Sequence, residues 1–195
     1  MRRRFLALLC VLPLLGACAD AVKPAFHGTD ITGASFGKDF HLADSAGKPR
    51  SLADFRGKAV TLFFGYTQCP DVCPTNLSSM AQVMRALGPE ADKVQVLFMT
   101  VDPERDTAAM LAQYVPAFDK RFLGLLADPA VTAATAKDFK VFYQKQKGST
   151  PDSYTVDHTA GTYVYDPQGR LRLLERHGES VENLAADLRL LLAGK

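Results

Sequence analysis

The sequence predicts an α/β fold, with a central mixed, mostly parallel sheet flanked by helices and a β-hairpin at its N-terminal end. Three observations carry that prediction. Two continuous apolar runs, Lys58 to Gly65 (KAVTLFFG) and Val94 to Val101 (VQVLFMTV), are rich in β-branched and aromatic residues, as strands buried on both faces are. Between them, Pro74 to Leu87 puts Leu77, Met80, Ala81, Met84 and Leu87 on one helical face and stops at Gly88-Pro89. A strand–helix–strand order of this kind makes a crossover, and crossovers produce parallel pairs with helices packed over the sheet.

The N-terminal residues stand apart from the fold. Arg2, Arg3 and Arg4 precede an apolar run, Phe5 to Leu15, that is too short to span a bilayer but suits the core of a signal peptide. It ends in Leu15-Gly16-Ala17-Cys18, which resembles a bacterial lipobox. Residues 1–17 are therefore expected to be cleaved and Cys18 acylated. A lipid would then hold the protein at the periplasmic, outer face of a bacterial cytoplasmic membrane. Residues 18–38, rich in Gly, Ala, Thr and Asp without periodicity, read as a tether, and residues 39–195 as one domain. The whole chain carries 23 Lys+Arg against 21 Asp+Glu, and three of those arginines lie in the leader. A near-neutral remainder without a basic patch excludes nucleic acid as a partner.

The other elements follow in order. Phe40-His41-Leu42 and Lys48-Pro49-Arg50 flank Asp44-Ser45-Ala46-Gly47, a hairpin signal. After the second buried run, Asp106 reads as the cap of a helix from Thr107 to about Val115. Phe122 to Leu126 is a short strand, and Asp128 caps a helix from Pro129 to about Phe139. Thr162–Tyr165 and Leu171–Glu175 are strands around the turn Asp166-Pro167-Gln168-Gly169, and Ser180 caps a last helix, Val181 to Leu192. This order resembles the thioredoxin-like one.

Once Cys10 is removed and Cys18 acylated, Cys69 and Cys73 are the remaining thiols. Closing so small a loop stabilises little, so a structural staple is a poor account of an exported pair; a redox couple or a metal site is a better one. Pro74 is expected to push Cys73 out of the helix and into its cap, where the helix dipole favours thiolate over thiol. Three residues separate the sulfurs (Pro70, Asp71, Val72), which widens the bite for two thiolates on one ion. Thiolates select Cu(I), zinc or iron–sulfur chemistry, and two of them need a third ligand from elsewhere. His27, His41 and His177 read as ordinary surface or core residues. His158, in a loop before Thr162–Tyr165, sits where a thioredoxin-like chain passes the cysteine loop. Met80 and Met84, at i,i+4 on the apolar face, read as core rather than as copper thioethers.

The stretch Phe64-Gly65-Tyr66-Thr67-Gln68-Cys69-Pro70-Asp71-Val72-Cys73-Pro74-Thr75 resembles the signature of the Sco/SenC family of copper chaperones. Val101-Asp102-Pro103-Glu104-Arg105-Asp106-Thr107, Val156-Asp157-His158-Thr159 and Tyr163-Val164-Tyr165-Asp166-Pro167-Gln168-Gly169 resemble its later motifs, in order. Thr159 stands where many members carry serine. The resemblance implies one copper ion per monomer on Cys69, Cys73 and His158. It also implies delivery to the Cu(A) site of cytochrome c oxidase, so that the oxidase subunit carrying Cu(A) is the expected partner, with another copper chaperone or a thioredoxin-like reductant as further ones. Asp102 and Asp157 are candidates to hydrogen-bond groups behind the ligands, and Asp157 to orient the His158 ring.

An enzymatic alternative is a thiol–disulfide oxidoreductase that reduces the Cu(A)-ligand cysteines of the oxidase subunit. The three-residue spacer, and the lack of any proline between Pro151 and Pro167 where thioredoxins place a cis one, count against a general thioredoxin. A peroxidase would carry Thr or Ser three residues before its cysteine, where Pro70 precedes Cys73. A purely structural lipoprotein leaves the cysteine pair and Asp157-His158 without a purpose.

Overall fold

A computed structural model of the chain describes residues 25–148, 150 and 153–195, so the expected leader, Cys18 and the first part of the expected tether lie outside the described residues. The elements run Thr29–Asp30 (β1), Leu42–Asp44 (β2), Pro49–Arg50 (β3), Ala59–Gly65 (β4), Val72–Leu87 (α1), Val94–Thr100 (β5), Ala108–Tyr114 (α2), Leu123–Leu126 (β6), Pro129–Asp138 (α3), Tyr143–Lys147 (β7), Tyr154–His158 (β8), Thr162–Tyr165 (β9), Leu171–Glu175 (β10) and Val181–Leu192 (α4).

One mixed sheet has the order β1-β10-β9-β4-β5-β6-β2-β3. Its centre is the predicted one: β4 and β5 are buried along their whole length and pair in parallel from Ala59↔Val94 to Gly65↔Thr100. The expectation of a mostly parallel sheet is corrected, however. Among the described residues parallel pairing is confined to β4–β5 and β5–β6, and the other pairs are antiparallel. The physical reason is connectivity, because β2–β3 and β9–β10 are joined by tight turns, which allow only antiparallel neighbours. Asp44 shapes the first turn by accepting from the Ala46 and Lys48 amides at 2.9 and 3.0 Å, and Asp166 shapes the second by accepting from Gln168 and Arg170 at 3.0 Å.

Side chains alternate across the central strands and sort the core into two faces. Phe64 packs on Phe139, at the end of α3, and on Tyr163; Phe63 faces the other way, onto Phe98. Leu77, Met80, Met84 and Leu87 of α1 are buried, so the two methionines are core as predicted. Each fully buried Phe, Leu or Met contributes about 1.5–3 kcal/mol relative to exposure.

Two further expectations change. The hairpin β7–β8 forms a separate two-stranded sheet that periodicity did not reveal. Its strands bury only Val156, so no apolar alternation marks them in the sequence. The stretch read as tether also docks from Phe26 onward: β1 pairs with β10, and Phe26, Ile31 and Phe36 pack against the core. The His27 and Gly28 amides donate to the Asp187 carboxylate of α4 at 2.9 and 2.8 Å. A Cβ at Gly28 would meet the Glu175 carboxyl at 2.5 Å, so any side chain there would have to displace that buried group.

Glu175 is 2% exposed, and burial, with the neighbouring Asp187 charge adding to it, pushes its pKa up to about 8. A carboxyl whose folded pKa exceeds its unfolded one holds its proton in the native state. Its contribution to stability is therefore full below about pH 4.5 and is lost as pH rises toward 8. Glu175→Gln, which keeps the neutral form, should raise stability at pH 8 by on the order of 2 kcal/mol and leave it little changed at pH 4.5. Urea unfolding at both pH values checks this, and an equal shift at both would contradict it.

Candidate metal centre

The site begins where β4 ends. Parallel strands leave their carboxyl ends on one side of a sheet, the usual place for a ligand site in α/β folds. Here the Tyr66–Asp71 loop follows β4 and the 101–107 loop follows β5 on that same side. Cys69 is half-buried and Cys73 is fully buried, and both are free thiols. The Cys73 amide donates to Cys69 Sγ at 3.4 Å.

The placement of Cys73 differs from the expectation. Helix α1 starts at Val72, with Asp71 as its cap, so Cys73 lies inside the first turn and Pro74 is the third helical residue. The first four amides of a helix have no intrahelical acceptor, so a proline is tolerated anywhere in that turn. The expected thiolate does not follow either. Burial pushes the Cys73 thiol far up, with the neighbouring Cys69 and Asp106 adding to the shift. Desolvation outweighs the helix dipole, so the metal-free Cys73 holds its proton at neutral pH.

His158 reaches the sulfurs from the end of β8, not from a loop. Its Nε2 lies 3.5 Å from Cys73 Sγ and 4.0 Å from Cys69 Sγ, and the three candidate ligand atoms all lie within 4.8 Å of one another. The ring sits edge-on between Phe63 and Tyr66, each at 5.8 Å between centroids. Its Nδ1 donates to the Thr159 carbonyl at 3.1 Å, which leaves the Nε2 lone pair facing the sulfurs. Burial lowers the His158 pKa, so the imidazole stays neutral and able to accept a metal. Two sulfurs and a neutral imidazole form a soft three-donor set for one ion, beside an open groove of about 430 Å³ lined by Tyr66, Asp71, Thr155 and Asp157.

The remaining candidates separate. His27, His41 and His177 are exposed and apart from this cluster. Asp157 is also exposed and accepts from Gln146 at 2.9 Å: strand alternation turns it away from His158, and a backbone carbonyl orients the ring instead. Asp102 is buried, accepting from Arg105 Nε and from the Tyr154 hydroxyl at 2.8 Å, without touching a candidate ligand. Asp106 is not the helix cap. Thr107 caps α2, accepting from the Met110 amide, while Asp106 is 1% exposed and accepts from Thr67 N, Thr67 Oγ1 and Thr100 Oγ1 at 3.0, 2.6 and 2.6 Å. An Asp one residue before a helix looks like a cap, and only the tertiary contact shows it bolting the cysteine loop to β5. Gly65 was also missed as a functional position. A Cβ there would lie 2.7 Å from Cys73 Sγ and 2.8 Å from Phe98, so glycine makes the room in which that sulfur sits.

Comparison with known proteins agrees with this arrangement. The family model SCO1/SenC matches residues 28–193. The mitochondrial SCO2 homologue of Mus musculus is 39% identical over 153 residues, covering 77% of this chain and 60% of the relative, so the chain spans about three fifths of that protein's length. Among solved structures, Bradyrhizobium japonicum ScoI with copper bound is 42% identical with a TM-score of 0.73, covering 81% of this chain and 99% of that one. Apo Sco1 from Thermus thermophilus is 41% identical with a TM-score of 0.76, covering 87% and 99%. With the family model spanning nearly all described residues and the fold matching these neighbours, the chain belongs to the SCO1/SenC family.

Proposed function

We propose that this protein is a copper metallochaperone: it binds one copper ion through Cys69, Cys73 and His158 and delivers it to the Cu(A) site of cytochrome c oxidase during assembly. The observation that carries this reading is the convergence of the three donor atoms within 4.8 Å. The copper in the Bradyrhizobium relative supports the choice of metal, and the family resemblance supports the oxidase subunit as recipient. In its working place the chain is a lipoprotein, cleaved after Ala17, acylated on Cys18 and held at the outer face of a bacterial cytoplasmic membrane. Among the described residues no helix is long and apolar enough to cross a membrane.

The chain's own residues set the terms of loading. Cu(I) is met by two thiolates, so binding displaces the proton that burial keeps on Cys73. The neutral imidazole adds the harder donor that Cu(II) requires. Three ligands with an open side leave room for a partner's cysteines and histidines to attack the ion and take it over by ligand exchange. Cys69, the more exposed sulfur, is the first to be released.

A second reading has an observation of its own. Cys69 is reachable and Cys73 lies buried behind it, the order in which one sulfur attacks and the other resolves. The Cys69 thiolate would attack a client disulfide, and Cys73 would then displace the client sulfur. The client leaves as a dithiol, and the chain keeps a Cys69–Cys73 disulfide, two electrons having passed. Reduction of an oxidised Cu(A)-domain peptide without copper, followed by its rate, separates this activity from metal delivery.

Two results test the copper reading in the full-length chain. His158→Ala should weaken Cu(II) by more than about 100-fold while Cu(I), held by the sulfurs, changes far less. Competition titration with chelators of known affinity reads both, and wild-type Cu(II) affinity in the mutant would remove the imidazole from the site. Apparent Cu(I) affinity should also climb at least tenfold per pH unit from pH 6 to 8, about tenfold being the share of the Cys73 proton alone. Because burial lowers the His158 pKa below its ordinary value, the ring stays neutral there, and His158→Ala should leave that slope unchanged between pH 7 and 8. A flat profile would mean that Cys73 is already ionised or is not a ligand.

A further inference from the structure

Residues Asp102 to Asp106 touch neither sulfur nor the imidazole, yet their side chains reach both arms of the site. Asp106 ties down the cysteine arm through Thr67, two residues before Cys69. Asp102 and Arg105 reach the other arm, the hairpin β7–β8 that carries His158. Arg105 Nε donates to the buried Asp102 carboxylate, and its Nη1 donates to the Tyr154 carbonyl at 2.8 Å and to Gln68 Oε1 at 3.3 Å. One guanidinium thus bonds the residue preceding Cys69 and the first residue of β8. Its Cζ also stacks 3.5 Å from the centre of the Tyr154 ring and 5.6 Å from that of Tyr66. The Tyr154 hydroxyl closes the circuit by donating to Asp102 at 2.8 Å.

The hairpin needs such a fastening. It stands outside the main sheet, and of its strand residues only Val156 is fully buried, with Tyr143 and Tyr154 packed part-buried against the core, so its register against the cysteines rests on few apolar contacts. Other links are the Val156 amide, which donates to the Tyr66 hydroxyl at 3.2 Å, the His158 ring edge-on against Phe63 and Tyr66, the partly buried Tyr143, and an exposed Lys145–Glu104 pair at 2.5 Å. Exposed pairs of that kind stabilise little. We propose that Asp102, Arg105 and Tyr154 form a clasp that holds the hairpin in register, and that they are positioning residues for the His158 ligand. The inference rests on the three-ligand reading above and adds a control on it. The clasp decides whether the ion meets two sulfurs alone or two sulfurs and an imidazole.

The consequence is selective. Cu(I) is satisfied by two thiolates, whereas Cu(II) depends on the nitrogen donor. Apparent affinity falls with the fraction of time the competent arrangement is populated, so a hairpin in register about a tenth of the time weakens Cu(II) about tenfold. Tyr154→Phe removes only the hydroxyl bonded to Asp102, and Arg105→Lys keeps the charge but loses the planar fork and the stack.

In the full-length chain each variant should bind Cu(II) about tenfold more weakly and Cu(I) within about twofold of wild type. In a His158→Ala background the same substitutions should add nothing to the Cu(II) loss, because the clasp acts only through that ring. The His158 ring signals of the metal-free chain should shift or broaden in both variants, a readout that needs no copper and no folding assumption beyond a preserved thermal midpoint. Equal losses with and without His158, or unmoved ring signals and Cu(II) affinity, would overturn the clasp. If His158→Ala itself left Cu(II) binding intact while the ring signals still moved in the variants, the three-ligand reading would fall and the positioning of the ring would stand.

Discussion

Parallel pairing of β4 with β5 is the constraint on which the centre depends, because it brings two loops from distant parts of the chain to one edge of the sheet. Both strands are buried along their whole length, and their in-register pairing ends at Gly65 and Thr100. The next backbone bond, Val101 N to Gly65 O at 2.8 Å, carries the register one step further. Asp106 then turns adjacency into fixation by accepting from Thr67 on one loop and Thr100 on the other strand. Such a buried carboxylate is tolerated because its hydrogen bonds replace water. Gly65 supplies the remaining requirement, the space for Cys73 Sγ under the sheet.

Burial, more than helix polarity, sets the electrostatics. A helix N-terminus lowers a thiol's pKa, and that effect acts here on a sulfur already taken out of water. Desolvation wins at Cys73, and the same effect keeps His158 uncharged. In the metal-free site a protonated Cys73 therefore faces a neutral imidazole, and the thiol proton can be shared toward Nε2 over 3.5 Å. Ionising the Cys73 sulfur then accompanies the arrival of a cation that balances its charge. The Nδ1 contact with the Thr159 carbonyl adds orientation without adding charge.

The two arms differ in how they are held. The cysteines belong to a loop and helix that grow out of a strand buried along its whole length, and α1 anchors them with six core side chains over its later turns. The histidine belongs to a hairpin fastened mainly by polar and aromatic contacts. Polar contacts exchange with water at little net cost, so such an arm opens more readily than a packed one. The two sulfurs and the nitrogen are thus brought together by arms held in different ways.

Much of this was legible in the sequence because it is local. Two apolar runs, a 3.6-residue stripe from Leu77 to Leu87, the Asp128 and Ser180 caps, and the turn at Asp166–Gly169 each announce themselves within a few residues. The cysteine pair and His158 were identifiable from residue type, spacing and motif. What tertiary structure alone decided lies between distant segments. It made Asp106 a brace instead of a cap and put Cys73 inside the helix. It turned Asp157 away from the ring and set His158 on a polar hairpin that lacks periodicity. It also drew residues 26–38 onto the domain through β10 and Asp187. Local patterns report which face of an element meets the core, but the partner of a polar side chain 39 or 89 residues away is settled only when the sheet order closes the distance.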